Sequence, residues 1–197
     1  MHICFFGDSF VNGTGDDECL GWTGRLCAAA RRAGRDVTLY NLGVRGQTSA
    51  DILARWEREA AVRLPDGIDG RLVFSFGAND CTPGGDGGVK VAQARTLANA
   101  EAMLAAAARR PTLVVGPLPI GDDPESDARI AALVPGMAAL CRRLGVPFLD
   151  VFGAMAADEA WTREAAAGDG THPNAGGYAA LARLVGGWEA WRAWVAG

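Results

Sequence analysis

Short, mostly apolar runs punctuate the chain: HICFF at 2–6, VTLYNL at 37–42, RLVFSF at 71–76, TLVVG at 112–116 and VPFLDV at 146–151. They read as continuous apolar strands, as strands of a parallel sheet covered on both faces do. Between them, longer segments at 20–33, 48–60, 89–109, 126–144 and 175–195 carry helical spacing, several rich in alanine and arginine. Strand and helix in alternation predict right-handed crossovers and an α/β fold: a three-layer α/β/α sandwich on a five-stranded parallel sheet, flavodoxin-like. No internal repeat or long linker divides the sequence, so residues 1–197 are expected to form a single domain.

In such a sheet the loops leaving the carboxyl ends of the strands form the binding edge. Here those loops hold the unusual polar residues. GDSF (7–10) follows the first run, GVRGQTS (43–49) the second, GAND (77–80) the third and GPLPIGDDP (116–124) the fourth, while GDGTHPNAGG (168–177) leads into the last helix. Gly-Asp-Ser by itself is an ordinary way to turn out of a strand. The other loops decide whether Ser9 is more than that.

A serine hydroxyl becomes a nucleophile when a base takes its proton, and the usual base is an imidazole held by a carboxylate. The chain has only two histidines. His2 begins the first strand, on the edge away from these loops. His172 follows Asp169 by three positions within a turn, a spacing that lets the carboxylate reach the ring's second nitrogen. Acyl transfer also needs donors aimed at a developing oxyanion. Gly46 offers a backbone amide with no side chain in the way, and Asn79 a side-chain amide. Asp8 and Asp80 are expected to be scaffold residues that bond nearby amides.

Composition excludes several classes. With 49% hydrophobic and 21% charged residues the mixture is globular, not disordered or fibrous. A net charge of −4 with scattered arginines gives no basic face for nucleic acid. No apolar run is long enough for a membrane span, and Met1 leads directly into a strand instead of a secretory leader, so a cytoplasmic location is expected. Five cysteines, Cys4, Cys19, Cys27, Cys81 and Cys141, lack CxxC spacing, which argues against disulfides and zinc and for small core residues. Neither GxGxxG nor GxxxxGK[ST] occurs. No cofactor and no metal are expected.

Two other readings stand beside acyl transfer. GDS, GAND and DGTH faintly echo two-metal phosphoesterases, which generally draw on several histidines. A flavodoxin-like binding module without chemistry would not need Asn79, Asp169 and His172 to converge.

The four blocks in order, GDSF (7–10), the glycine of VRGQTSA at 46, GAND (77–80) and DGTHP (169–173), resemble the SGNH hydrolases, the GDSL-type esterases and lipases. The resemblance spans almost the whole chain. It implies Ser9 as nucleophile, Asp169 and His172 as its acid and base partners, and an oxyanion hole formed by Gly46, Asn79 and the amide of Ser9. Phe10 stands where the family name has leucine, a position whose apolar character is expected to matter more than its shape. Family substrates range over lipids, acetylated sugars, thioesters and small esters. The expected activity is therefore a serine carboxylesterase acting on a small-molecule ester, with transfer to another acceptor or thioester cleavage using the same acyl-enzyme.

Three peripheral features carry further expectations. The chain leaves no insertion for a lid, so the site should be an open cleft for short acyl chains, with Leu118 and Ile120 as its apolar contact. The glycine-rich loop at 81–88 could cradle a phosphate but has only Lys90 as a basic neighbour, and reads better as a rim beside the oxyanion hole. Trp188, Trp191 and Trp194, at three-residue spacing, are expected to pack on the chain's own core, with a homo-oligomer contact as the sharper alternative.

Overall fold

A computed structural model describes residues 1–85 and 87–196. Its strands are β1 (His2–Gly7), β2 (Thr38–Gly43), β3 (Gly70–Ser75), β4 (Thr112–Val115) and β5 (Phe148–Leu149), in the sheet order β2-β1-β3-β4-β5. Every pairing is parallel. The helices are α1 (Ser9–Asn12), α2 (Gly21–Arg32), α3 (Ser49–Arg63), α4 (Gln93–Ala107), α5 (Pro124–Leu144), α6 (Phe152–Ala156), α7 (Glu159–Ala167), α8 (Ala175–Gly187) and α9 (Glu189–Ala196). This is the expected three-layer α/β/α sandwich. Its sheet reverses direction of growth at β1, whose carboxyl end opens the crevice such folds use for ligands.

Adjacent phenylalanines on β1 show how the layers are held. Phe5 meets the ring of Trp22 from α2 at 5.5 Å and Trp191 from α9 at 6.4 Å. Phe6 faces the other way, 6.3 Å from Trp56 of α3 and stacked on Phe74 of β3 at 5.6 Å. Successive strand residues point to opposite faces, so one dipeptide anchors both helical layers. Each ring is fully buried, a contribution on the order of 2 kcal/mol apiece.

The chain departs from the sequence expectation in four places. Residues 152–167, to which the sequence pattern assigned no element, form α6 and α7, the latter started by Asp158, whose carboxylate accepts from the amide of Trp161 at 2.9 Å. The expected helix over 175–195 breaks at Trp188, where extended backbone separates α8 from α9. The strand expected over 146–151 shrinks to Phe148–Leu149: the amide of Val146 closes the end of α5 on Cys141, and Asp150 accepts from Phe152. The helix expected from 89 begins only at Gln93, because Val89 bridges back to Pro83.

Trp191 is buried and Trp188 and Trp194 pack against the same core, with the Arg71 guanidinium 5.3 Å from the Trp194 ring. All five cysteines are free and only Cys19 is exposed; burial pushes the Cys4 and Cys27 thiols up to about 12. Among the described residues, no helix is long and apolar enough to cross a membrane.

Candidate active site

Ser9 is the first residue of α1, a single helical turn that starts two residues after β1 ends. Asp8 caps that turn, accepting from the amide of Phe10 at 3.0 Å, and Gly13 closes it in the left-handed conformation. The turn lies hard against β2: a Cβ on Gly43 would come within 2.1 Å of the Asn12 nitrogen and 2.7 Å of the Asp8 oxygen. Only glycine lets the two backbones pass. Burial pushes the Asp8 carboxyl up to about 7, against the pull of the Phe10 amide, and nearby Asp80 adds to the rise.

His172 approaches from the turn between α7 and α8. Its Nε2 lies 2.7 Å from Ser9 Oγ and its Nδ1 2.7 Å from Asp169 Oδ2. The other carboxylate oxygen, Oδ1, accepts from the amides of His172 (2.8 Å) and Thr171 (3.0 Å), which tie the three-residue loop together. Burial would raise the Asp169 carboxyl, but these amides and the imidazole outweigh it and hold it at about 2. The Asp169 carboxylate therefore favours the tautomer with a proton on Nδ1 and a lone pair on Nε2 facing the serine. His2, in contrast, sits at the start of β1, beside Tyr40.

Phe10, which the sequence marked only for its apolar character, and several neighbours that it did not single out hold this turn in place. The Phe10 ring lies 5.1 Å from the His172 ring and 5.7 Å from that of Trp161. Asn174 and Asp17 exchange two hydrogen bonds, and Thr171 donates to Asp122. No local pattern marks these residues, because each bond except that of Thr171 joins segments more than 150 positions apart in sequence.

The loops on either side of β1 bring the donors. Gly46 is the third residue of a tight turn closed by the Gln47 amide on the Val44 carbonyl, with φ +77, a conformation that suits glycine. Asn79 opens the short 3₁₀ turn after β3 and gives one side-chain hydrogen to the Gln47 carbonyl at 3.0 Å. Its second amide hydrogen, and the backbone amides of Ser9 and Gly46, donate to no protein acceptor among the described residues. Asp80, fully buried, accepts from the amide and hydroxyl of Ser49 and from Thr96 Oγ1, so the start of α3 and the Asn79 turn are fastened together. Asp8 and Asp80 thus occupy scaffold positions.

A cleft of 340 Å³ opens beside His172, walled by Thr14, Gly15, Arg45, Glu164, Gly168 and Asn174 together with Ala167, Asp169 and His172 itself. Ser9, Gly46 and Asn79 are not among those walls, nor are Leu118 and Ile120, the apolar contact expected of the site. Both are packed into the core, Leu118 at 1% exposure, because Asp127 accepts from the amides of Ile120 and Gly121 and folds their loop onto the start of α5. Of the loop at 81–88, Asp86 lies outside the described residues; the rest closes on itself through Gly84 to Gly88 and Lys90 to Thr82. Among the described residues, no three His, Cys, Asp or Glu gather as a metal site.

The sequence pattern of the GDSL-like Lipase/Acylhydrolase family matches residues 5–180, and the chain belongs to that family. It is a hydrolase of the SGNH type. Among solved structures, a lipase/acylhydrolase from Enterococcus faecalis is similar at 27% identity over 94% of this chain and 93% of its own, with a TM-score of 0.78. Axe2, an acetylxylan esterase from Geobacillus stearothermophilus, shares the fold at 18% identity, TM-score 0.73, over 96% and 95% of the two chains. LAE5, an alpha/beta hydrolase enzyme from the metagenome of Lake Arreo, shares it at 23% identity, TM-score 0.72, over 99% and 94%. Alanine forms of Axe2 described as catalytic mutants replace a serine, a histidine, and an aspartate three positions before that histidine. No curated protein matches at a significant level.

Proposed function

We propose that this chain is a serine esterase that cleaves carboxylic esters of short acyl chains through an acyl-enzyme on Ser9. The observation that carries the reading is the continuous relay from Ser9 Oγ through His172 to Asp169, two contacts of 2.7 Å each. Neutral His172 accepts the Ser9 proton on Nε2 as Oγ attacks the ester carbonyl. Asp169 accepts from Nδ1–H, fixes the tautomer and stabilises the imidazolium that forms. The amides of Ser9 and Gly46 and the free hydrogen of Asn79 Nδ2 receive the oxyanion, a contribution that dominates in acyl transfer. Collapse expels the alcohol, which takes its proton from His172, and water repeats the cycle to release the acid.

The same serine, histidine and aspartate types, with the same Asp-to-His spacing, are the catalytic mutants of Axe2, which supports the assignment. The short-acyl preference is supported by the walls of the cleft beside His172, which are polar or small. The test is labelling with an organophosphonate, followed by peptide mass mapping. The adduct is expected on the peptide containing Ser9 and absent from Ser9→Ala; an adduct elsewhere, or turnover abolished by EDTA and restored by a divalent ion, overturns the reading.

A further inference from the structure

Arg55, in the second turn of α3, is 16% exposed and uses its guanidinium on four separate groups. Its Nε donates to Gln47 Oε1 at 2.6 Å, and its Nη1 to Glu59 at 2.9 Å. Its Nη2 donates to the Leu42 carbonyl at 2.8 Å and the Gly7 carbonyl at 3.2 Å. Its Cζ also lies 5.9 Å from the Phe6 ring centre.

These partners are the points from which the site is hung. Gly7 ends β1 two residues before Ser9, and Leu42 lies on β2 next to Gly43. Gln47 directly follows Gly46, and its own carbonyl receives Asn79 Nδ2. One rigid cation thus ties the strand that delivers the serine to the loop that delivers one oxyanion donor, and through Gln47 to the other donor. We propose that Arg55 is a positioning residue for the oxyanion hole, setting Gly46 and Asn79 relative to Ser9 without touching substrate. The proposal rests on the acyl-transfer reading above. A lysine, with a single ammonium, cannot span strand carbonyls and Gln47 at once, so arginine is required by geometry and not by charge.

A double-mutant cycle separates this role from simple support of α3. Arg55→Lys is expected to lower kcat about 30-fold with KM changed less than about threefold, the scale of a displaced catalytic donor. In the Asn79→Ala background the same substitution should cost less, under about tenfold, because one of the two donors it aligns is already gone and only Gly46 is left to misplace. Gln47→Ala, which removes only the side-chain link and keeps the carbonyl, should show the same pattern with a smaller loss, and it decides the matter if Arg55→Lys does not fold. An unchanged kcat in folded protein, or an equal fold-loss in both backgrounds, overturns the proposal. Ser9→Ala serves as the reference: if it retains wild-type turnover the esterase reading itself has failed, whereas an inactive Ser9→Ala with an additive cycle defeats only the role of Arg55.

Discussion

The carbonyl of Gln47 accepts a hydrogen bond from Asn79 Nδ2 at 3.0 Å, so the loops that follow β2 and β3 are joined directly across the carboxyl end of β1. Asn79 has two amide hydrogens, and this bond leaves one for a ligand. Asn79→Ala should lower turnover by about a hundredfold, the usual scale for one oxyanion donor, with little change in KM. Loss of the single bond to Gln47 should cost only about 1 kcal/mol of stability. Kinetics and chemical denaturation on the same preparation check both; a full loss of stability with turnover per folded molecule preserved would reduce Asn79 to a turn residue.

Ser9→Ala and His172→Ala should each reduce kcat by several orders of magnitude, and the double variant scarcely further, since groups that act as a unit are not additive. Asp169→Asn should also be impaired, because an amide can present its NH₂ to Nδ1 and favour the wrong tautomer. Single-turnover kinetics on a chromogenic ester measure all four, and multiplicative losses would argue against a shared proton relay.

Asp8 makes stability depend on pH in an unusual direction for a carboxylate. Its folded-state pKa lies at about 7 against an ordinary 3.8, so between these values the folded state binds more protons than the unfolded one. The stability this group contributes is complete below the lower value and is lost as pH rises through about 7. Asp8→Asn retains a side-chain oxygen for the Phe10 amide but cannot ionise. Denaturation midpoints across pH 4 to 8 should fall less steeply in Asp8→Asn than in wild type; parallel curves would show that Asp8 stays ionised throughout.

Asp80 is fully buried and receives three donors from Ser49 and Thr96. Asp80→Ala would strand the amide and hydroxyl of Ser49, at about 1 to 3 kcal/mol each, while Thr96 Oγ1 keeps the Ala92 carbonyl at 3.4 Å. We expect a loss of at least about 2 kcal/mol, measured by urea denaturation, accompanied by reduced turnover because Asn79 is the adjacent residue. A loss below about 1 kcal/mol would mean that water replaces the carboxylate without strain.

Esters of graded acyl length should show a preference for acetyl to butyryl. Each buried methylene contributes about 0.8 kcal/mol only where there is apolar wall to bury it against. Leu118 and Ile120 are buried in the core, and the cleft beside His172 has Thr14, Gly15 and Ala167 among its walls. A kcat/KM that keeps climbing to eight or ten carbons would reveal an apolar channel elsewhere.

Much of this architecture is local information. The unbroken apolar run through Phe5 and Phe6 marks a strand covered on both faces, and a parallel sheet of such strands gathers its loops on one edge. That alone places GDSF, the Gly46 turn and GAND together, and the scarcity of histidine leaves His172 as the candidate base on that edge. The Asp169–His172 spacing lies within a single turn, so it too is written in consecutive residues. Other features depend on contacts that no window of sequence contains. The alanine-rich stretch around α7 carries too little apolar contrast to announce a helix until Trp161 is seen packed between Phe10 and Tyr178. Leu118 lies buried in a loop that Asp127, seven residues beyond Ile120, fastens by capturing two of its amides. The shape of Phe10, not only its apolarity, acquires a role because its ring lies against His172, and Arg55 becomes a hub because folding delivers two strand ends and Gln47 to one guanidinium. Periodicity reports which face of an element is buried; the partner that buries it is chosen by packing, over distances along the chain that a local pattern does not span.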